Sequence, residues 1–197
     1  MDRAKFFAAV RISLFSGKLS DPQVKGMDAI LDEWVAQGLT DIRWLAYMLA
    51  TAYHETAQTM QPITEYGGRK YFEKYDTGTL AKQLGNTPAA DGDGFFYRGR
   101  GYPQLTGAAN YRNADKKLGL GGQLIANPDL ALQPDIASKI MVLGMTEGWF
   151  TGRKLSDYFT PSSSDWVNAR KIINRLDRAQ DIAGYAKAFN SALAGAQ

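Results

Sequence analysis

At 197 residues, 45% of them hydrophobic and 22% charged, the chain is long enough for one compact domain with a real core. A net charge of +3 favours anionic polymers and the cell envelope by long-range attraction, the plain alternative being a merely soluble surface; no block of about five Lys/Arg supports nucleic acid as a partner. The absence of cysteine excludes disulfide frameworks and thiol chemistry, and the longest nearly apolar stretch, residues 44–53, is short of the ~20 residues that insertion in a membrane needs.

The hydrophobic period is helical nearly everywhere. It predicts a first helix from Arg3 to Phe15, closed by Gly17. Ser20-Asp21-Pro22 is an N-cap with proline in the first turn, opening a second helix to about Gln37. Thr40 is expected to cap a third helix carrying Trp44, Leu45, Met48, Leu49 and Ala52. Residues 62–96 are rich in Gly, Tyr and Asp and read as a long irregular loop, with a short helix near Leu80 and a short strand pair within 64–75. Thr106 is expected to open a helix through Lys117, Pro134 to Phe150 is a long apolar helix, Ser164 is expected to cap a helix to about Arg175, and Arg178 to Ala194 is the last. The fold class is mainly α, with at most a small β-hairpin. The whole chain reads as a single catalytic domain, in which residues 1–38 could form an accessory helical pair beside a core of 39–197. A monomer is the default.

The single histidine, His54, removes several chemistries. Zinc sites draw on several His or Cys ligands, and the zincin pattern begun by His54-Glu55 fails at Gln58. There is no G-x-S-x-G elbow, no phosphate loop and no complete dinucleotide fingerprint. No metal or cofactor is expected. Carboxylate chemistry remains, and glycoside hydrolysis needs one carboxylic acid for the leaving oxygen and one carboxylate for water or attack.

Glu55 ends the helical face of Leu45, Met48 and Ala52. A carboxyl there is expected to be partly desolvated and held protonated, the state a general acid requires; spacing alone favours the alternative, a helix-end glutamate turned to solvent. Glu65 follows Pro62 at the entry to the Gly-rich loop and could hold a water across a sugar ring, or be a surface acid beside a turn. The segment from Phe95 to Gly107 combines aromatic residues suited to sugar stacking with Gly99 and Gly101, which permit close backbone approach. Gln104, Thr106 and Asn110 can hydrogen-bond hydroxyls, acetamido groups or a water, although Thr106 equally fits a helix N-cap.

Together, His54-Glu55-Thr56, Glu65, the run Tyr97-Arg98-Gly99-Arg100-Gly101-Tyr102-Pro103-Gln104-Leu105-Thr106-Gly107 with Asn110-Tyr111, and Lys171-Ile172-Ile173-Asn174 resemble glycoside hydrolase family 19, the plant-type chitinases, and above all its bacteriophage endolysin branch. The resemblance spans residues 40–190; Pro103 stands where the family has an aliphatic residue and Arg175 where it has glycine. It implies a bilobal, lysozyme-like fold and an inverting mechanism, with Glu55 as general acid, Glu65 as general base and Thr106 helping to hold the attacking water. For inversion the carboxyl groups should stand ~6.5–9.5 Å apart. It further implies substrate-binding roles for His54, Tyr97, Arg100, Tyr102, Gln104, Asn110, Tyr111 and Asn174. The implied partner is the glycan strand of peptidoglycan, with chitin oligomers as the rival substrate and a non-catalytic wall-binding module as the rival class. With no secretory signal read at its N-terminus, the protein is expected to be made in the host cytoplasm and to reach the wall after release.

Overall fold

The computed structural model describes residues Met1–Gln197 and is mainly helical, with ten α-helices and four two-residue strands. Helices α1 (Arg3–Ser13) and α2 (Asp21–Ala36) open the chain. Ser20 accepts from the Gln23 amide while the Gln23 side chain reaches back to Ser20, a reciprocal capping box that fixes where α2 begins. Helix α3 (Ile42–Glu55) is capped by Asp41, whose carboxylate accepts from the Arg43 amide. Thr40, the expected cap, lies one residue too early; Asp41 wins because it also forms an ion pair with Arg43.

Strand β1 (Ile63–Thr64) follows, then the short helices α4 (Arg69–Phe72), α5 (Gly78–Leu84) and α6 (Asp93–Phe96). The segment expected to be irregular thus carries three helical pieces, α5 being the one anticipated near Leu80. Strand β2 (Arg100–Gly101) pairs antiparallel with β1, Ile63 opposite Gly101 and Thr64 opposite Arg100. This replaces the expected pair within 64–75: the partner strand is residues 100–101, paired with 64 and 63, a separation that local alternation cannot reveal.

Helix α7 (Ala108–Leu118) begins after Gly107, and Thr106 does not cap it. Helices α8 (Gln123–Ala126), α9 (Pro134–Glu147) and α10 (Ala179–Ala194) complete the helical set. Between α9 and α10, strands β3 (Phe159–Thr160) and β4 (Ser163–Ser164) form a small antiparallel pair, followed by a 3₁₀ turn at Asn168–Ile172. The expected helix from Ser164 to Arg175 is therefore absent. Ser164 is committed to the strand pair, where its hydroxyl accepts from Arg43, and Asp165 instead receives the Asn168 amide.

The apolar face of α3 is buried from Leu45 to Tyr53 and packs against α10. The largest core joins α1, α2, α3, α9 and α10 through Phe6, Met27, Leu31, Met48, Met141 and Phe189. A smaller core gathers Leu105, Tyr111, Ala114, Leu124, Ala131 and Ile140. Phe150 packs against both. Within residues 1–38, Phe6, Val10, Met27 and Ile30 pack into the larger core. No helix is long and apolar enough to cross a membrane.

Candidate functional site

A cavity of 610 Å³ opens between the end of α3, strand β1, helix α5, the segment 103–110 and the segment 173–174. It is the meeting point of chain segments that are far apart in sequence, and both polar and apolar side chains face it.

Glu55 is the last residue of α3, where unpaired helix carbonyls make the surroundings electronegative. Its carboxyl is not isolated. Arg170 donates from Nη1 to Glu55 Oε1 at 2.6 Å, and the arginine side chain is only 3% exposed. The Nε of Arg170 donates to the carbonyl of Asp177, so the guanidinium is fixed from behind. A lone carboxyl terminating an apolar stripe is corrected by this pair: Leu45, Met48 and Ala52 are buried as expected, but the charge next to Glu55 comes from a residue 115 positions away. Spacing carried no signal for Arg170, although it immediately precedes the Lys171-Ile172-Ile173-Asn174 segment.

Below Glu55 the chain turns sharply. Thr56 is fully buried, its hydroxyl donating to the Ala52 carbonyl at 2.7 Å and accepting from the Met60 amide at 3.0 Å. Its role is to hold the turn, in which Ala57, Gln58 and Met60 all adopt positive φ. Left-handed conformations at non-glycine residues cost of order 1–3 kcal/mol each and persist where surrounding contacts impose them. His54 is half-buried and lines the same cavity. Burial, reinforced by Arg170 and Arg178 and opposed by Glu55 and Asp177, holds its imidazole below the ordinary value, so it is neutral at pH 7.

Glu65 is positioned by the β1–β2 pairing. Its amide donates to the Gly99 carbonyl at 2.8 Å, and the Gly99 amide donates back to Glu65 Oε2 at 3.1 Å. Tyr75 donates from its hydroxyl to Oε1 at 3.1 Å. Burial, and then the neighbouring Glu65 carboxylate, push the Tyr75 phenol up, so it remains a donor at any physiological pH. Both oxygens of Glu65 are thereby oriented.

Opposite Glu65, Gln104 sits at φ +56°, with Nε2 donating to the carbonyls of Ile63 and Gly101. Thr106 donates from Oγ1 to the Gln104 carbonyl at 2.8 Å. With its proton spent there, the hydroxyl presents lone pairs and can accept a hydrogen from a water or a sugar hydroxyl. Gln104 Oε1, Glu65 Oε2 and Thr106 Oγ1 lie 2.8, 3.1 and 3.1 Å from the point a Cβ on Gly99 would occupy. Three acceptors thus converge around one glycine. Asn110 donates to the Thr106 carbonyl at 2.7 Å, and Asn174 accepts from the Arg175 amide at 2.8 Å, which leaves its Nδ2 free at the mouth of the cavity.

The structure therefore brings together Glu55, Glu65, Thr106, His54, Gln104, Asn110 and Asn174. It does not bring the other four expected residues to this cavity. Arg100 is buried, with its guanidinium on Asp129, on the carbonyls of Phe96 and Arg98, and on the Tyr111 hydroxyl, and so fixes the loop from inside. Tyr111 is wholly buried and donates to the Arg98 carbonyl. Tyr102 is wholly buried in the larger core and donates to the Gly26 carbonyl on α2. Tyr97 packs against Phe96 and Tyr111. These residues shape the loop that carries Gly99, Gln104 and Thr106; they do not line the cavity. Sequence reasoning missed Arg170, Tyr75, and the apolar walls Leu80, Leu84 and Phe150.

Chemically, the cavity offers one carboxyl paired with an arginine and one carboxyl held by a phenol and an amide. Between segments 65 and 106 it offers an acceptor cluster suited to a water molecule. Against models of known protein families, the chain matches none.

Proposed function

We propose that the protein is an inverting glycoside hydrolase that cleaves β-1,4 bonds in the glycan strands of bacterial peptidoglycan, acting as an endolysin. The observation that carries the proposal is the convergence of Glu55, Glu65 and Thr106 on one cavity, from segments held by unrelated contacts. Its sugar-sized volume, its apolar walls and its amide side chains suit an N-acetylated polysaccharide.

In this mechanism Glu55 donates a proton to the glycosidic oxygen as the bond to the anomeric carbon breaks. Arg170 engages Oε1 of Glu55, leaving Oε2 to carry the transferred proton. A water donates one hydrogen to the Thr106 hydroxyl and the other to Glu65, so that its lone pair points away from both. It attacks the anomeric carbon from the opposite face, and Glu65 takes the proton it loses. The product is the α-anomer. The preference for peptidoglycan over chitin is supported by the net charge of +3 and by the resemblance to the phage-type branch.

The test is release of reducing ends from purified cell walls and from chitin oligomers by wild type, Glu55→Gln and Glu65→Gln. Glutamine is chosen because truncation of Glu55 would leave Nη1 of the buried Arg170 without its acceptor. Each variant should lose roughly 10²–10⁴-fold in kcat while still binding walls. NMR of the first-formed product should show inversion. Wall lysis that persists in Glu55→Gln sinks the assignment of the acid, and turnover of chitin alone sinks the endolysin reading.

A further inference from the structure

A second cavity, of 540 Å³, lies across strand β1 from the first and shares Ile63, Glu65 and Tyr66 with it. Its walls include Thr64, Gly67, Phe95 and Arg98. The guanidinium of Arg98 stands 4.1 Å from the Phe95 ring centre, and that of Arg69 stands 4.8 Å from the same ring. Neither arginine forms an ion pair, whereas Arg100, two residues beyond Arg98, is held on Asp129. Arg98 makes one hydrogen bond, from Nη1 to the Phe95 carbonyl at 2.7 Å, and its remaining N–H groups have no protein acceptor. The one carboxylate lining this cavity, Glu65, accepts from Gly99 and Tyr75 and forms no ion pair with either arginine. Arg98 and Arg69 place two like charges at one aromatic ring; Glu65 and Asp129 act on Arg98 through space without forming an ion pair with it, and a guanidinium fork with unused N–H groups is the side chain best matched to a carboxylate.

We infer that this second cavity holds a carboxylate of the substrate, with Arg98 as its principal ligand and Arg69 as a flanking charge. The inference rests on the glycan reading of the first cavity. A polymer of N-acetylglucosamine carries no carboxylate, whereas a muramic acid residue carries its lactyl carboxyl, either free or extended by a peptide stem that bears its own. A strand lying in the first cavity can send that side group over β1 into the second. Arg98 is then the residue that separates peptidoglycan from chitin.

Three monosaccharide-sized probes test this by NMR titration of the full chain: N-acetylglucosamine, N-acetylmuramic acid and muramyl dipeptide. None contains the bond to be cleaved, so binding is read without turnover. The acidic probes should perturb the amides of Thr64, Gly67 and Phe95, and N-acetylglucosamine should not. The stronger of the two acidic probes identifies the lactyl or the stem carboxylate as the natural ligand. Arg98→Gln should weaken that probe by roughly tenfold, and Arg98→Lys, which keeps the charge and loses the fork, should restore only part of the affinity. Equal binding of neutral and acidic probes overturns the inference, as does an acidic preference that survives in Arg98→Gln. Acetate binding as tightly as the sugar acids would reveal a mere anion site and overturn it as well. Failure of the glycosidase reading is separate: reducing ends would not be released by wild type although the acidic preference persists.

Discussion

Gly99 lies against three side chains that line the cavity, Glu65, Gln104 and Thr106. Its φ is not positive, so backbone strain does not require glycine here; what requires it is space, since a Cβ would press within 3.1 Å of Glu65 Oε2, Gln104 Oε1 and Thr106 Oγ1. Gly99→Ala should therefore displace the carboxylate and the hydroxyl together. We expect kcat on cell walls to fall roughly 10²-fold, the scale of loss that follows a misplacement of about 1 Å. Circular dichroism and the melting temperature should change little, because the three atoms nearest the added methyl are the ends of side chains and none is backbone. Thr106 makes a companion test in the same assay. Thr106→Ala removes the acceptor for the water, and Thr106→Ser keeps it. Full activity in Thr106→Ala would show that the hydroxyl serves only to bond the Gln104 carbonyl.

At the scale of elements, the end of α3 is held by helix α2. Gln23 on α2 donates to the Gln58 carbonyl, Gln61 donates to the Pro22 carbonyl, and Tyr102 donates to the Gly26 carbonyl. The backbone of α2 touches the turn after Glu55 at Gly26, where a Cβ would fall 1.5 Å from the Met60 carbonyl oxygen. In an isolated helix, alanine in place of glycine would stabilise by about 1 kcal/mol. Here Gly26→Ala should instead destabilise by about 3 kcal/mol or more, because the helix and a turn already in the left-handed region must separate. Urea unfolding measures the loss. The same variant should lose activity below the unfolding transition, since the displaced turn directly follows His54 and Glu55. An unchanged midpoint would show that α2 is free to move away. Helix α2 thus braces the turn that follows Glu55.

For the whole molecule, the pH dependence of stability follows from the groups held away from their ordinary values. His54 is held below 6.5, so the unfolded chain binds a proton more readily than the folded one as the pH drops past that value. Its contribution is complete above pH 6.5 and is lost as the pH falls. Glu147, beside Lys117 and Trp149, and Asp165, which accepts from the Asn168 amide, are held below 4.5 and 3.8, and their contributions are lost at still lower pH. The melting temperature should thus be level just above neutrality and decline first as the pH falls below 6.5. In His54→Gln that first decline should shrink while the later one stays. A decline of equal size in the variant would assign it to the carboxylates.

The sequence by itself determined the mainly helical class and most helix boundaries, because capping residues and a 3.6-residue hydrophobic period act within a few positions of each other. Spacing alone left Glu55 and Glu65 open to an ordinary surface role; the resemblance carried by their motifs and by the Tyr97–Gly107 run is what singled them out together with Gln104, Thr106 and Asn110. Only the tertiary structure decided that Arg170 faces Glu55, that Tyr75 holds Glu65, and that β1 pairs with β2. These contacts join positions 10 to 115 residues apart, and local propensity has no term for them. The structure also divided one flagged motif in two. Gln104 and Thr106 turn to the cavity, while Arg100, Tyr102 and Tyr111 turn inward, because the loop can present a few polar groups only if others of its side chains anchor it to the two cores.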